Sequence, residues 1–208
     1  MRALIVIPAK PLARAKARLA TFLDGEERQA LALAMLRDVV SAATQVAPVW
    51  VVCSDEEAVA VARERGAEAV PDKTPEAGLN ASLSATTADV TGAGYDGALV
   101  LASDLPCVRP EDVAAVLGPA QVVIAPSAGG DGTNALWRSP ADLFPTAFGE
   151  KSRSAHERLA AESGLAALIV RRPRLELDVD DPGDLTRAVE LGTGPATAAI
   201  VRSVEARR

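Results

Sequence analysis

The chain has 208 residues, of which 49% are hydrophobic, enough for one good core in a single domain spanning 1–208. Its formal net charge is -6 and its basic residues form no long run, which argues against a nucleic-acid-binding face. Cys53 and Cys107 lie in or beside apolar stretches and read as small buried hydrophobes, with no disulfide or metal role.

In chain order, MRALIVIP is an apolar run too short for a signal-peptide core or a membrane span, so a cytoplasmic protein without membrane contact is expected. Within it, Ala3–Ile7 reads as a strand buried on both faces of a parallel sheet. Helical spacing of Leu31, Met35, Leu36 and Val39 predicts a helix over Glu26–Val46. Val49–Cys53 repeats the buried-strand signature, and Glu56–Arg65 is again helical. Further on, the pattern predicts a strand at Ala67–Val70, a helix at Ser82–Asp89, a strand at Gly97–Ala102, a helix at Pro110–Leu117 and a strand at Val122–Ala125. Short strands are expected at Ala135–Trp137 and Leu175–Val179, flanking a helix over Ser154–Ser163. Pro182–Leu191 is expected to form the last helix. This alternation predicts an α/β doubly wound sheet, whose ligands bind in the crevice beyond the carboxyl ends of the strands.

The loops at those ends carry the chemistry. After the first strand, Lys10, Arg14, Lys16 and Arg18 converge within nine positions. That charge suits a triphosphate, with a solvated cationic face as the competing reading. No GxxxxGK[ST] accompanies them, which excludes a Walker-type cradle. Asp104 ends ALVLASD and precedes Leu105-Pro106, a placement that suits a magnesium ligand and equally a turn former. In LELDVDDPGDL, Asp178 and Asp180 would share one face of a strand and repel unless a cation joins them. With Asp104 they could hold the metal of a phosphoryl transfer. Asp181 and Asp184 read instead as the cap and first-turn acid of the following helix.

GGDGTNAL offers backbone N–H groups with Thr133 and Asn134 as side-chain hydrogen-bonding groups. FGEKSRSAH sets Gly149, Lys151, Ser152, Arg153 and Ser154 at a helix start, where Ser152 or Ser154 could cap and where an anion is favoured. Asn80 has the donor and acceptor that a purine edge requires, and also suits an N-cap. His156 is the one histidine. Without a GxSxG elbow it reads as a residue of the helix surface or one that acts through a neighbour.

Taken in order, IPAKPLARAKARLA, GLNASL, ASDLP, GTNAL, FGEKSRSAH and LDVDDPGDL resemble the guanylyltransferases of coenzyme F-420 biosynthesis, along almost the whole chain. Members are 2-phospho-L-lactate guanylyltransferases in archaea and phosphoenolpyruvate guanylyltransferases in many bacteria. The resemblance implies a nucleotide-diphosphosugar-transferase-like Rossmann-type fold with a mostly parallel, mixed sheet. It also implies Mg2+ as cofactor and transfer of GMP from GTP to phosphoenolpyruvate, 2-phospho-L-lactate or 3-phosphoglycerate. Where letters match, it directs Lys10 and Lys16 to the GTP phosphates, Asn80 to guanine, and Asp104, Asp178 and Asp180 to magnesium. Thr133, Gly149 and Ser152 then belong to the acceptor pocket. Abundant Ala and Arg with few aromatics resemble a GC-rich bacterium, which favours phosphoenolpyruvate as acceptor. Competing readings are a molybdopterin- or sugar-directed nucleotidyltransferase, disfavoured by the missing LAGG-type opening, and a non-catalytic nucleotide sensor. A homo-oligomer is left open, since no heptad or long edge strand declares an interface.

Overall fold

A computed structural model describes residues 1–9, 11–12 and 16–207. Its first strand, β1 (Ala3–Pro8), leads through a loop to helix α1 (Gly25–Ala43), and β2 (Val49–Val52), α2 (Glu56–Glu64) and β3 (Glu68–Val70) follow. Next come α3 (Leu79–Gly92), β4 (Gly97–Leu101), α4 (Pro110–Val116), β5 (Val122–Pro126) and β6 (Thr133–Arg138). The chain continues through α5 (Ser152–Glu162), β7 (Leu168–Ile169), α6 (Pro173–Glu176), α7 (Pro182–Leu191) and α8 (Pro195–Glu205). Among the described residues no helix is long and apolar enough to cross a membrane.

Among the described residues the strands form one seven-stranded sheet in the order β3-β2-β1-β4-β6-β5-β7, in which only β6 runs against its neighbours. The central strands β1 and β4 are buried along nearly their whole length, which explains their unbroken branched apolar sequences. One face packs against α1, α2 and α4 through Ile5, Val39, Val51, Leu101 and Trp137. The other carries Leu4, Val6 and Val100 against Leu83 and Val90 of α3, and Ile124 and Leu136 against Ala160 of α5. Trp137 is fully buried and donates its indole N–H to the Ala120 carbonyl at 2.9 Å. Its truncation to alanine would cost about 3–5 kcal/mol on the scale of buried aromatics.

Besides the short strand β7, which the sequence pattern does not predict, two features of the carboxyl-terminal third differ from expectation. The Leu175–Val179 strand does not form. Pro173 opens α6 at its first turn, and residues 177–180 run on without a ladder partner among the described residues. The inward–outward alternation survives, because Leu177 and Val179 are buried. Nor is Pro182–Leu191 the last helix: α8 follows it, packed against α1. The carboxylate of Asp38, on α1, accepts from the N–H groups of Ala196 and Thr197 at 3.0 and 2.8 Å and so caps α8 from another helix. Gly194 permits that approach, since a Cβ there would stand 2.3 Å from the Asp38 carboxyl carbon. Local sequence carries no trace of such a cap.

Candidate functional site

Chain order reverses between β1 and β4, so the loops leaving their carboxyl ends part to open a crevice. Lys16 comes from the first loop and Asp104 from the second. Lys16 adopts a left-handed backbone (φ 51°, ψ 45°), which costs a residue with a Cβ about 1–2 kcal/mol. Its side chain, 9% exposed, reaches across the crevice. The ammonium donates to Asp104 Oδ2 at 2.5 Å and to Asp180 Oδ1 at 3.1 Å. Burial alone would lower the Lys16 pKa, but attraction and hydrogen bonds from Asp104 and Asp180 raise it overall, so the side chain stays charged. Lys10 and Arg14 lie outside the described residues.

The acidic segment is held from both sides. Arg174, on α6, donates through Nε and Nη2 to both oxygens of the buried Asp112 on α4, at 2.6 and 3.1 Å. The Val179 N–H donates to the Asp104 carbonyl at 3.1 Å, which ties the segment to the loop after β4. Asp181 caps α7 by accepting from the Asp184 N–H, and Asp184 accepts from the N–H groups of Asp180 and Asp181, as their spacing suggested. Asp178 Oδ1 accepts from Asn134 Nδ2 at 3.1 Å. Burial, then repulsion from Asp104 and Asp180, pushes the Asp178 carboxyl above its ordinary value, and the Asn134 bond only partly offsets this.

A bulge in β6 re-aims two neighbouring side chains. Ala125 faces Ala135 and Pro126 faces Thr133, which leaves Asn134 as the extra residue. Asn134 then turns its amide to the carbonyls of Leu175 and Glu176 as well as to Asp178. Thr133 turns to α5, with Oγ1 3.1 Å from His156 Nδ1. His156 is not a helix-surface residue: it is fully buried, and its Nε2 accepts from the Ala147 N–H at 2.9 Å. Burial, and to a lesser degree the charge of Arg138, lower its pKa to about 4.

The remaining wall is the loop before α5. Gly149 has φ 130°, a backbone that only glycine adopts readily. Lys151 is the residue before α5 and makes no side-chain cap, and Ser152 is the first residue of the helix. Ser152 is 1% exposed. The Asn80 amide holds this loop by donating to the Phe148 carbonyl at 2.9 Å and accepting from the Phe148 N–H at 2.7 Å. In this geometry Asn80 therefore has a positioning task, with both ends of its amide engaged.

These residues meet in one cavity of about 240 Å³, lined by Asp104, Asp178, Asp180, Thr133, Asn134, Gly149 and Ser152, with Leu79, Leu83 and Phe148 as apolar wall. A second cavity of about 240 Å³ lies toward the first loop and α1 and is lined by Lys16, Arg18 and Met35. Both share Ser103, Asp104 and Asp180, so the carboxylates stand between two spaces. Among the described residues no three carboxylate, imidazole or thiol side chains form a ready-made metal cage. Asp104 and Asp180 are joined by the Lys16 ammonium instead. Sequence reasoning missed Phe148 and Ser103 as lining residues, and for His156 it left a surface place and a task through a neighbour both open. For His156 a signal existed, since Ser152 and His156 are four apart and so share a helix face.

A family model described as guanylyl transferase CofC like matches residues 2–207. A phosphoenolpyruvate guanylyltransferase of Thermomonospora curvata is 41% identical over 210 residues, covering 97% of this chain and 90% of that protein. One of Geodermatophilus obscurus is 41% identical over 208 residues, with 95% and 93% covered. Among solved structures, a putative nucleotide-diphospho-sugar transferase from Desulfovibrio desulfuricans G20 superposes with a TM-score of 0.77 at 16% identity. It covers 99% of this chain and 96% of its own, which shows the shared fold. On the match along nearly its whole length, the chain belongs to the CofC-like guanylyl transferase family.

Proposed function

We propose that the protein transfers GMP from GTP to phosphoenolpyruvate, giving enolpyruvyl-2-diphospho-5'-guanosine and pyrophosphate. One observation carries the reading beyond family membership: Thr133, Gly149 and Ser152 line the same cavity as Asp104, Asp178 and Asp180, and Lys16 borders the adjoining one. A small anionic acid and a triphosphate can then meet at the shared carboxylates. The similarity to relatives named phosphoenolpyruvate guanylyltransferase supports this acceptor. Both substrates are intracellular metabolites, which supports a cytoplasmic location.

In the reaction, an acceptor phosphate oxygen bonds to the α-phosphorus of GTP as the bond to the bridging oxygen breaks and pyrophosphate departs. An ionised phosphate needs no general base, so catalysis rests on in-line positioning and charge neutralisation. His156 is unsuited to proton transfer, being fully buried with both ring nitrogens engaged. Lys16 is a permanent cation beside the triphosphate path. Asp104, Asp178 and Asp180 would hold a divalent cation, Mg2+ in our reading. The donor set fits: hard oxygens, with the Asp178 carboxyl held above its ordinary value by burial and then by repulsion from Asp104 and Asp180, in an open cavity with room for water and phosphate ligands. Such a cation supplies charge neutralisation at the triphosphate. Thr133, Ser152 and the backbone at Gly149 orient the acid.

The test is mass spectrometry of the products from GTP with phosphoenolpyruvate, 2-phospho-L-lactate and 3-phosphoglycerate in competition, with pyrophosphate release followed in parallel. The enolpyruvyl product is expected to dominate. A dominant lactyl or glyceryl product reassigns the acceptor, and GTP binding without pyrophosphate from any acid overturns the enzymatic reading.

A further inference from the structure

His156 is the single histidine, fully buried, and without a task in the chemistry above. Its two hydrogen bonds decide where its proton sits. The Ala147 N–H can only donate, so Nε2, 2.9 Å away, carries the lone pair. A neutral ring then has its hydrogen on Nδ1, 3.1 Å from Thr133 Oγ1. The imidazolium is excluded on the same geometry, because a second N–H would oppose that of Ala147. Burial and the nearby charge of Arg138 act in the same direction.

With Nδ1–H donating, Thr133 Oγ1 is the acceptor of that bond, and its own hydrogen is left to donate elsewhere. Thr133 lines the cavity that also holds Gly149, Ser152 and Asp178. The ring also packs edge-on against Phe148, with centroids 5.0 Å apart, so it braces the loop opposite Thr133. We propose that His156 is a positioning residue that fixes the Thr133 hydroxyl as a hydrogen-bond donor to the anionic group of the acceptor acid. A free threonine hydroxyl donates or accepts as its surroundings demand, whereas an oxygen already receiving Nδ1–H presents its hydrogen to the cavity. The site thereby favours a ligand atom that only accepts, such as a phosphate or carboxylate oxygen. This inference rests on the reading of Thr133 as part of the acceptor pocket.

Two measurements test it. Uniform 15N-histidine labelling gives one residue's signals, and their shifts between pH 6 and 8 should be those of a neutral ring protonated at Nδ1. The other tautomer, or an imidazolium, overturns the proposal. The second is a double-mutant cycle. His156→Gln keeps an acceptor for Ala147 but loses the donor to Thr133, whereas His156→Asn sets an amide nitrogen where Nδ1 was. His156→Gln and Thr133→Val should each raise KM for the acid about tenfold, the loss of one hydrogen bond to a charged group, with KM for GTP unchanged. The double variant should be no worse than either single one, and His156→Asn should recover most of the loss. Effects that multiply, or a Thr133→Val KM within twofold of wild type, overturn the proposal. Failure of the wild type to release pyrophosphate from GTP and phosphoenolpyruvate sinks the parent reading instead. Should His156→Gln not fold, the labelling measurement on the unaltered protein still decides.

Discussion

The Lys16 ammonium stands 2.5 Å from Asp104 Oδ2, between loops that leave adjacent strands but lie far apart in sequence. One cation thus answers two carboxylates, because Asp180 accepts from the same ammonium. Any ligand that drew Lys16 away would leave Asp104 and Asp180 short of positive charge.

Asp104→Asn is expected to lower kcat at least ~100-fold, the scale of losing a preorganised charge at a reacting centre, with an unchanged circular dichroism spectrum. Added Mg2+ should raise the melting temperature of the wild type and not that of the variant. Near-normal turnover of the variant in excess Mg2+ would remove Asp104 from the site. Lys16→Met should raise KM for GTP and make the melting temperature more dependent on Mg2+, because the carboxylates then lack their resident cation.

The buried His156 gives stability a defined pH dependence. Its pKa is about 4 in the folded chain and near 6.5 when unfolded, so the unfolded state binds the extra proton first as pH falls. The contribution is fully present above pH 6.5 and is lost progressively toward pH 4. At its largest it amounts to about 3 kcal/mol. In urea titrations, His156→Asn should flatten the slope of stability against pH in that window. An unaltered slope would mean that other groups set it.

Asn80→Ala distinguishes a loop holder from a guanine contact. Losing both amide bonds to Phe148 should destabilise the protein by about 1–3 kcal/mol and raise KM for the acid, with nucleotide selectivity intact. A rise in KM for GTP together with use of ATP would return Asn80 to the base-binding task.

Removal of the remote cap should loosen α8 alone. Asp38→Ala leaves the Ala196 and Thr197 N–H groups without their acceptor and should cost about 1–2 kcal/mol by chemical denaturation. Turnover should stay within about twofold, because a cap worth this much acts on a helix remote from the crevice. Gly194→Ala should be at least as harmful, because its Cβ would collide with the Asp38 carboxylate.

Most of the frame is legible in the chain read residue by residue. Unbroken apolar strands such as ALIVIP and GALVL, alternating with amphipathic helices, permit little besides a covered, mostly parallel sheet. It also marked which loops carry carboxylates, cations and glycines, because strand ends in such sheets face the crevice. Those are signals of composition and period, which a chain displays locally.

The rest depends on contacts between residues that lie far apart in the chain. The bulge in β6 sends Thr133 and Asn134 in different directions, and no pattern in GTNAL announces it. Asn134 meets Asp178, and Asn80 meets Phe148, across separations of 44 and 68 positions. The expected strand at Leu175–Val179 fails because Pro173 starts a helical turn and residues 177–180 find no ladder among the described residues. The N-terminus of α8 takes its cap from Asp38, 158 positions away from Ala196, where no local pattern displays it. Lys16 read as one cation among four in its loop. Folding places it on Asp104 and Asp180, because only the packed sheet brings the carboxyl ends of β1 and β4 side by side.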